Sequence, residues 1–232
     1  MSIGVPLFEA YGMTENCAYA TSNSPENIKI GTVGIPAHGV ELKLADDGEI
    51  LIRSGGVFKG YFKDDQATSE TIDKDGWLHT GDVGIYEGDF VKIIDRKRDI
   101  IITSGGKNVS PSEIENKIKV SPFIKEAIVI GDRRKFLSVL IGIEFDTVSN
   151  WALRKNIPHT TYRDLSEKQE VKDLVWKEIS RANELTSSLE VREFRMIPKE
   201  LDHEEGELTA TQKVKRNVLI DQFSDLIEEM YS

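Results

Sequence analysis

The sequence of 232 residues is poor in the side chains that build cross-links and metal centres. It has one cysteine, Cys17, so an intrachain disulfide is excluded, and a single cysteine is typical of a protein kept in a reducing compartment. Its four histidines are scattered and supply no set with zinc-ligand spacing. A signal peptide and an apolar run long enough to cross a bilayer are also lacking. We therefore expect a cytoplasmic location, no zinc and no transmembrane segment.

Basic residues are also fewer than acidic residues. The sequence has 30 basic and 40 acidic residues, which gives a net charge of −10. Such a balance argues against a general nucleic-acid or anionic-membrane surface. With 39% hydrophobic and 30% charged residues, the composition is that of a globular protein with room for one large or two small domains.

Two different patterns divide the chain. From residue 28 to residue 94, short alternating runs are separated by glycine turns such as 46–48 and 87–89, which is typical of antiparallel hairpins. Beyond residue 96, strand patterns mix with helical spacing, including one helix expected over 164–185 and a last helix with Thr209 and Gln212 as a capping box. The sequence predicts an α+β fold: a small antiparallel β subdomain within 1–95, then an α+β lobe over 96–232.

The stretch Asp95–Glu115 joins the two patterns. A basic turn, Arg96–Arg98, is followed by the loop Ser104-Gly105-Gly106-Lys107, and Ser110 then begins a helix with proline in its first turn. We expect this segment to form a strand, a charged turn, a second strand, a glycine loop and a helix. Such an arrangement can hold a phosphorylated ligand beside a hinge. A plain surface hairpin followed by a helix is the alternative.

Two upstream segments carry residue types that suit an adenine nucleotide. Tyr11, Thr14 and Glu15 offer a flat ring for the base, a hydroxyl near phosphate and a carboxylate for a hard cation. Asp82, after Thr80 and Gly81, can accept hydrogen bonds from both hydroxyls of a ribose diol. Taken alone, each segment is equally an ordinary turn with an acidic residue.

In their order, these segments resemble the adenylate-forming acyl-CoA synthetases. The resemblance covers nearly the whole chain and rests on ordered motifs: Tyr11-Gly12-Met13-Thr14-Glu15, Gly48–Arg53, Gly60-Tyr61, Trp77–Asp82, Asp95–Glu115 and Leu208–Arg216. Many relatives have Ser-Gly directly before the lysine that corresponds to Lys213. This chain has Thr211 and Gln212 there, and this pair is closer to the long-chain fatty acid–CoA ligase branch.

The resemblance implies a site for ATP or AMP, with Mg²⁺ and coenzyme A as further ligands. It implies that the nucleotide is bound by Tyr11, Gly12, Thr14, Asp82 and Arg96. Glu15 becomes the Mg²⁺ ligand. Arg98 occupies the hinge position, where relatives usually carry Asp or Lys. Gly105 and Gly106 would line the channel of the pantetheine arm, with Lys107 as a phosphate or carboxylate partner.

Lys213 is the candidate catalytic residue. Formation of an acyl-adenylate concentrates negative charge on the α-phosphate and on the attacking carboxylate, and one mobile ammonium can bridge both. The resemblance places Lys213 in that role. The alternative is a solvated lysine near the start of the last helix.

The family's phosphate loop, rich in Ser, Thr and Gly and ending in Pro-Lys-Gly, has no counterpart in the sequence, and the family's large N-terminal lobes have none either. We therefore expect the C-terminal part of an ATP-dependent fatty acid–CoA ligase, inactive alone and self-associating through Ile3, Val5, Leu7 and Phe8. A non-catalytic binding or regulatory protein is the alternative. A peptide-synthetase adenylation domain is a third alternative, which we expect less because these 232 residues include no carrier domain.

Overall fold

The computed structural model describes residues 4–185 and 190–232. It divides into two compact units, Met1–Asp99 and Ile100–Ser232, named here the N-terminal and C-terminal units. The sequence predicts the boundary between Asp95 and Arg96, on the other side of the basic turn Arg96–Arg98. Each unit has its own sheets and its own buried apolar core, and the predicted α+β class is confirmed.

The N-terminal unit is built on an antiparallel sheet in the order β4-β5-β6-β7, beside a smaller sheet β1-β2-β3. Its elements are β1 (Ala10–Tyr11), β2 (Thr21–Ser22), β3 (Ile35–Pro36), β4 (Val40–Leu44), β5 (Glu49–Ser54), α1 (Asp65–Thr71), β6 (Leu78–Glu87) and β7 (Phe90–Arg96). The two turns expected from the sequence are confirmed: Gly48 and Gly88 have φ of 83° and 71° in the β4–β5 and β6–β7 hairpins. A short helix, α1, lies between β5 and β6.

Apolar residues of β5, β6 and β7 form the core of this unit. Ile50, Ile52, Leu78 and Val91 are fully buried together. Gly84 is required by this packing, because a Cβ there would lie 2.9 Å from Ile50 Cδ1 and from the carbonyl oxygen of Lys92. The sheet therefore gives β6 a rigid base, and β6 carries Asp82.

The C-terminal unit is organised around β11, which lies between β10 and β12. Its elements are β8 (Ile101–Ile102), β9 (Asn108–Val109), α2 (Pro111–Ile118), β10 (Ile124–Ile130), β11 (Leu137–Ile143), α3 (Phe145–Arg154), α4 (Tyr162–Glu167), α5 (Gln169–Glu184), β12 (Val191–Met196), α6 (Arg216–Gln222) and α7 (Ser224–Glu229). β10 pairs with β11 in antiparallel fashion, and β12 pairs with it in parallel.

Every residue of β11 is buried because helices cover both faces of the sheet. Val139 and Ile141 pack in the cluster that contains α2, α3 and α5, while Leu140 packs on the other face with residues of α6 and α7 such as Leu219. A continuous apolar run, rather than an alternating one, is what a strand between two helical layers needs.

An ion pair between α2 and the start of α6 covers the outer side of β10. Glu115 Oε1 accepts a hydrogen bond from the Val129 N–H at 2.8 Å. Arg216 donates to the Val129 carbonyl at 2.9 Å and lies 2.5 Å from the same Glu115 oxygen. Both outward-facing backbone groups of Val129 are thus satisfied by side chains, and the N-terminus of α6 is fixed to the sheet.

Two helix predictions need correction. The single helix over 164–185 is interrupted at Lys168, whose ψ of 135° is extended, so α4 and α5 are separate helices. The final helix begins at Arg216 instead of near Thr209, and it breaks at Phe223. Helical spacing alone did not reveal these breaks, because the apolar positions on both sides of each break face the same core. Among the described residues, none of the helices has the length and apolar character needed to span a bilayer.

Candidate functional site

The clearest polar site in the N-terminal unit is centred on Asp82 of β6. Asp82 is 5% exposed, yet both carboxylate oxygens have partners. The Tyr11 hydroxyl donates to Oδ2 at 2.5 Å, and Arg96 Nε lies 2.8 Å from Oδ1. Strand pairing explains the second contact, because Asp82 of β6 is directly opposite Arg96 of β7. The structure thus brings together Tyr11, Asp82 and Arg96, three residues to which the family resemblance assigns nucleotide binding.

Local hydrogen bonds fix the orientation of this carboxylate. The Asp82 N–H donates to Thr80 Oγ1 at 3.1 Å, and the Thr80 hydroxyl donates to the Ile50 carbonyl at 2.7 Å. Burial, together with the hydrogen bond to Asp82, raises the pKa of Tyr11 above its ordinary value, so Tyr11 stays protonated and remains a donor. Each carboxylate oxygen of Asp82 keeps a second lone pair, which suits a ligand with two adjacent hydroxyls.

Glu15 lies in a short 3₁₀ helix, Thr14–Asn16, and contacts a residue from a distant motif. Its Oε1 accepts a hydrogen bond from the Tyr61 hydroxyl at 2.8 Å. Thr14 is exposed beside it. The sequence motif Gly60-Tyr61 had no assigned role, and this contact gives Tyr61 one, because it orients the carboxylate predicted to bind Mg²⁺.

Packing within the chain explains why residue 12 is a glycine, and this reason is not visible in the sequence. A Cβ at this position would lie 2.3 Å from the carbonyl carbon of Ala18. The glycine therefore permits a close approach of the chain to itself. Its expected approach to a nucleotide stays a prediction.

In the C-terminal unit, the Gly105-Gly106 loop joins β8 to β9 as a tight hairpin. Gly106 has φ of 75° and donates to the Thr103 carbonyl at 2.9 Å, and the Lys107 N–H donates to Thr103 Oγ1 at 3.2 Å. A Cβ on Gly106 would meet no atom within 4 Å, so the outer side of the loop is open.

The glycine loop is fastened to the turn between β10 and β11. Ser104 N–H donates to the Arg134 carbonyl at 3.0 Å, and Arg133 N–H donates to the Ile102 carbonyl at 2.8 Å. Lys107, Arg133 and Lys135 are exposed on these two adjoining turns. The arrangement presents cations next to an open glycine surface, which suits a ligand that carries phosphates at one end of a slender chain.

Lys213 lies in a turn that precedes α6, which corrects the expectation that it begins the last helix. Leu208 and Val214 form an antiparallel bridge, the Thr209 N–H donates to the Lys213 carbonyl at 2.8 Å, and the Lys213 N–H donates to Thr209 Oγ1 at 3.0 Å. Gln212 adopts φ of 60° to close the turn. Thr209 therefore closes a loop rather than capping a helix, and the capping-box prediction is wrong. Lys213 is exposed at the tip.

A buried carboxylate supports the base of this turn. Glu207 is fully buried; its Oε1 lies 2.7 Å from Lys199 Nζ, and its Oε2 accepts from the Asp202 N–H at 2.8 Å. The Glu207 carbonyl accepts from the Lys215 N–H at 2.8 Å. Lys199 also pairs with Glu205 at the surface.

Lys199→Ala is expected to lower the free energy of unfolding of the C-terminal unit by about 3 kcal/mol, because it leaves the Glu207 charge buried without its ammonium partner. Urea unfolding followed by far-ultraviolet circular dichroism measures the change. Lys125→Ala is the matched control, since Lys125 pairs with Glu200 in a half-exposed ion pair and should cost less than about 1 kcal/mol. Equal small losses in both variants would contradict a structural role for the buried pair.

Two protein-family matches fall on different parts of the chain. Residues 98–232 match the family described as AMP-binding enzyme C-terminal domain, and residues 2–62 match AMP-binding enzyme. The long-chain-fatty-acid–CoA ligase FadD15 of Mycobacterium bovis is 38% identical over 99% of this chain, and the match covers 38% of that protein. The chain thus spans well under half the length of this curated relative.

Solved structures agree with the fold. The adenylation domain of a carboxylate reductase from Mycobacterium chelonae matches with a TM-score of 0.74 and 22% identity, over 97% of this chain and 34% of that one. The o-succinylbenzoate coenzyme A synthetase of Bacillus subtilis, solved in complex with ATP and magnesium ion, matches with a TM-score of 0.66 and 27% identity, over 93% of this chain and 42% of that one. The chain belongs to the AMP-binding enzyme family, and residues 98–232 are its C-terminal domain.

Proposed function

We propose that the chain is the C-terminal part of an ATP-dependent fatty acid–CoA ligase. The observation that carries the proposal is the buried Asp82 carboxylate, held between the Tyr11 hydroxyl and Arg96 Nε in a geometry that suits the two hydroxyls of a ribose. Relatives named as long-chain-fatty-acid–CoA ligases support the choice of a fatty acid as the carboxylate substrate.

In the first step, a carboxylate oxygen of the fatty acid attacks the α-phosphorus of ATP, the bond to the β-phosphate oxygen breaks, and pyrophosphate leaves. Asp82 and Arg96 hold the ribose end of the nucleotide, with Tyr11 and Thr14 beside it. The Lys213 ammonium neutralises charge on the α-phosphate and the carboxylate as the new bond forms. Lys213 is exposed at the tip of a closed turn, so its side chain is available for this contact.

Glu15 fits a Mg²⁺ site by its chemistry. Mg²⁺ usually takes one or two protein carboxylates and completes its shell with phosphates and water. Glu15 offers an accessible carboxylate whose orientation is set by Tyr61. When bound, the cation would neutralise the phosphate charge of ATP.

In the second step, the thiol of coenzyme A loses its proton and its sulfur attacks the acyl carbonyl carbon. The bond between that carbon and the phosphate oxygen breaks, and AMP leaves as the phosphate anion. We assign the pantetheine arm to the open side of Gly105 and Gly106. Lys107, Arg133 and Lys135 supply the cations for the phosphates of coenzyme A. Arg98, beside the boundary between the units, is the proposed hinge.

Several finer expectations belong to the same proposal. Because the sequence contains no Ser/Thr/Gly-rich phosphate loop, this chain by itself should form adenylate poorly. Val5 and Leu7 are 59% and 85% exposed, Phe8 is half-buried, and Ile3 lies outside the described residues, so self-association through this segment stays a prediction. The cytoplasmic location also stays a prediction.

The test uses the complete protein encoded by the gene that contains this segment. With a fatty acid and ATP it should release pyrophosphate, and with coenzyme A added it should yield acyl-CoA and AMP in equal amounts. Asp82→Ala should abolish both products through loss of nucleotide binding. Formation of ADP in place of AMP, or no turnover with fatty acids of any chain length, would contradict the proposal; the second result would favour a non-catalytic binding protein.

A further inference from the structure

Glu49, the first residue of β5, is a buried carboxylate that the proposed chemistry does not use. It is 5% exposed, and three donors converge on it. Oε1 accepts from the Gly81 N–H at 3.0 Å, and Oε2 lies 2.9 Å from Lys97 Nζ and 3.3 Å from His79 Nδ1. A buried carboxylate without such partners would be strongly destabilising, so this network fixes the atoms around it.

The partners of Glu49 flank the nucleotide site on both strands. Gly81 immediately precedes Asp82 on β6, and Lys97 immediately follows Arg96 on β7. Gly81 has φ of 69°, and the pairing of β5 with β6 shifts register between Glu49 and Leu51. The strand therefore leaves its regular path just before Asp82, and the Glu49 carboxylate holds it there.

The charge state of Glu49 agrees with this geometry. Burial opposes ionisation, but hydrogen bonds from Lys97, Gly81 and His79 outweigh it and hold the pKa of Glu49 below its ordinary value. Lys97 also contacts Asp47 Oδ2 at 2.6 Å, at the exposed edge of the sheet. Glu49 is thus the anion that connects the Gly81 backbone to the Lys97 side chain.

We propose that Glu49 is a positioning residue of the nucleotide site, which sets the Asp82 carboxylate for the ribose hydroxyls by fixing Gly81 on one side and Lys97 on the other. The inference rests on the proposed function, because it assumes that Asp82 binds ribose. It adds a residue that makes no contact with the nucleotide and acts only through its neighbours.

The discrimination between ATP and its deoxy analogues tests this inference. In the complete ligase, kcat/KM of adenylate formation is measured with ATP, 2′-deoxy-ATP and 3′-deoxy-ATP. Glu49→Gln keeps the size of the side chain but removes its charge, and the ratio of ATP to either analogue should fall by roughly tenfold, as expected when a charge-assisted hydrogen bond is misaligned. The loss should appear with ATP and be small with the analogue that lacks the hydroxyl.

Glu41→Gln is the matched control. Glu41 lies on the neighbouring strand β4, pairs with Arg53 at the exposed surface, and should leave the ratio unchanged. Asp82→Asn, measured in parallel, separates the two levels of the proposal. If Asp82→Asn leaves the ratio unchanged, the ribose role of Asp82 fails. If Asp82→Asn removes discrimination while Glu49→Gln preserves it, only the positioning role of Glu49 is overturned.

An equal loss with all three nucleotides in Glu49→Gln would also overturn the inference, because a purely structural residue lowers activity without regard to the ribose hydroxyls. If Glu49→Gln does not fold, Lys97→Met decides the question. It breaks one side of the connection and leaves the Gly81 contact, so the ratio should fall by about threefold, roughly the net value of a single hydrogen bond. An unchanged ratio in a folded Lys97→Met variant would overturn the proposal.

Discussion

Lys213→Ala in the complete ligase is expected to slow formation of the acyl-adenylate by roughly 10²–10³-fold, the usual loss when one positioned charge is removed from a transition state. Conversion of supplied acyl-adenylate and coenzyme A to acyl-CoA should remain nearly intact, because the thiol then attacks a carbonyl that is already activated. Stability should barely change, since Lys213 is exposed and its turn is closed by backbone groups and Thr209. The two half-reactions are measured separately on one purified variant.

Lys215→Ala is the control for local charge. Lys215 is exposed two residues after Lys213. It contacts the Glu207 carbonyl through its backbone N–H, and alanine retains this hydrogen bond. Adenylation by this variant should stay within about twofold of the wild type, as for most exposed substitutions. Comparable losses in both half-reactions of Lys213→Ala, or no loss in adenylation, would remove Lys213 from the mechanism.

Arg98→Pro should produce the second large effect, with one half-reaction retained and the other reduced by orders of magnitude. Arg98 is exposed in the short 3₁₀ turn Lys97–Asp99, directly before the boundary between the units. Proline fixes φ near −65° and removes the N–H, so a hinge that must change its backbone angles would be confined to one conformation. Single-turnover measurements of each half-reaction show which conformation proline permits.

Arg98→Ala separates the backbone from the side chain. Alanine removes the guanidinium but leaves φ free, so both half-reactions should continue at near wild-type rates if Arg98 acts as a pivot. Parallel loss of both half-reactions in Arg98→Pro, with normal circular dichroism, would show that the hinge lies elsewhere.

The sequence predicted those features that depend on neighbouring residues. Glycine turns at Gly48 and Gly88 and the Ser110 cap of α2 follow from local backbone preferences, and the structure confirms them. The pairing of Asp82 with Arg96 also fits the assigned roles, because the β6–β7 hairpin between them is short.

Features that depend on contacts between residues far apart in the chain could not be predicted from the sequence. No local pattern distinguishes Glu49 from other acidic residues, and only the pairing of β5 with β6 shows that its carboxylate contacts Gly81. Glu205 and Glu207 are close neighbours in the sequence and both pair with Lys199, yet the fold buries Glu207 and leaves Glu205 exposed. Lys213 was placed near a helix start because the pattern of apolar residues could not locate the turn that Gln212 closes.

The contacts of Val129 also bear on how this lobe behaves at high concentration. A strand at the border of a sheet offers unpaired N–H and C=O groups that a strand from another molecule can join, which is a common route to aggregation. At Val129 of β10 the N–H is occupied by Glu115 and the carbonyl by Arg216. An incoming strand would have to displace an ion pair as well as find its register, so these two side chains protect the lobe against intermolecular β-sheet growth along this border.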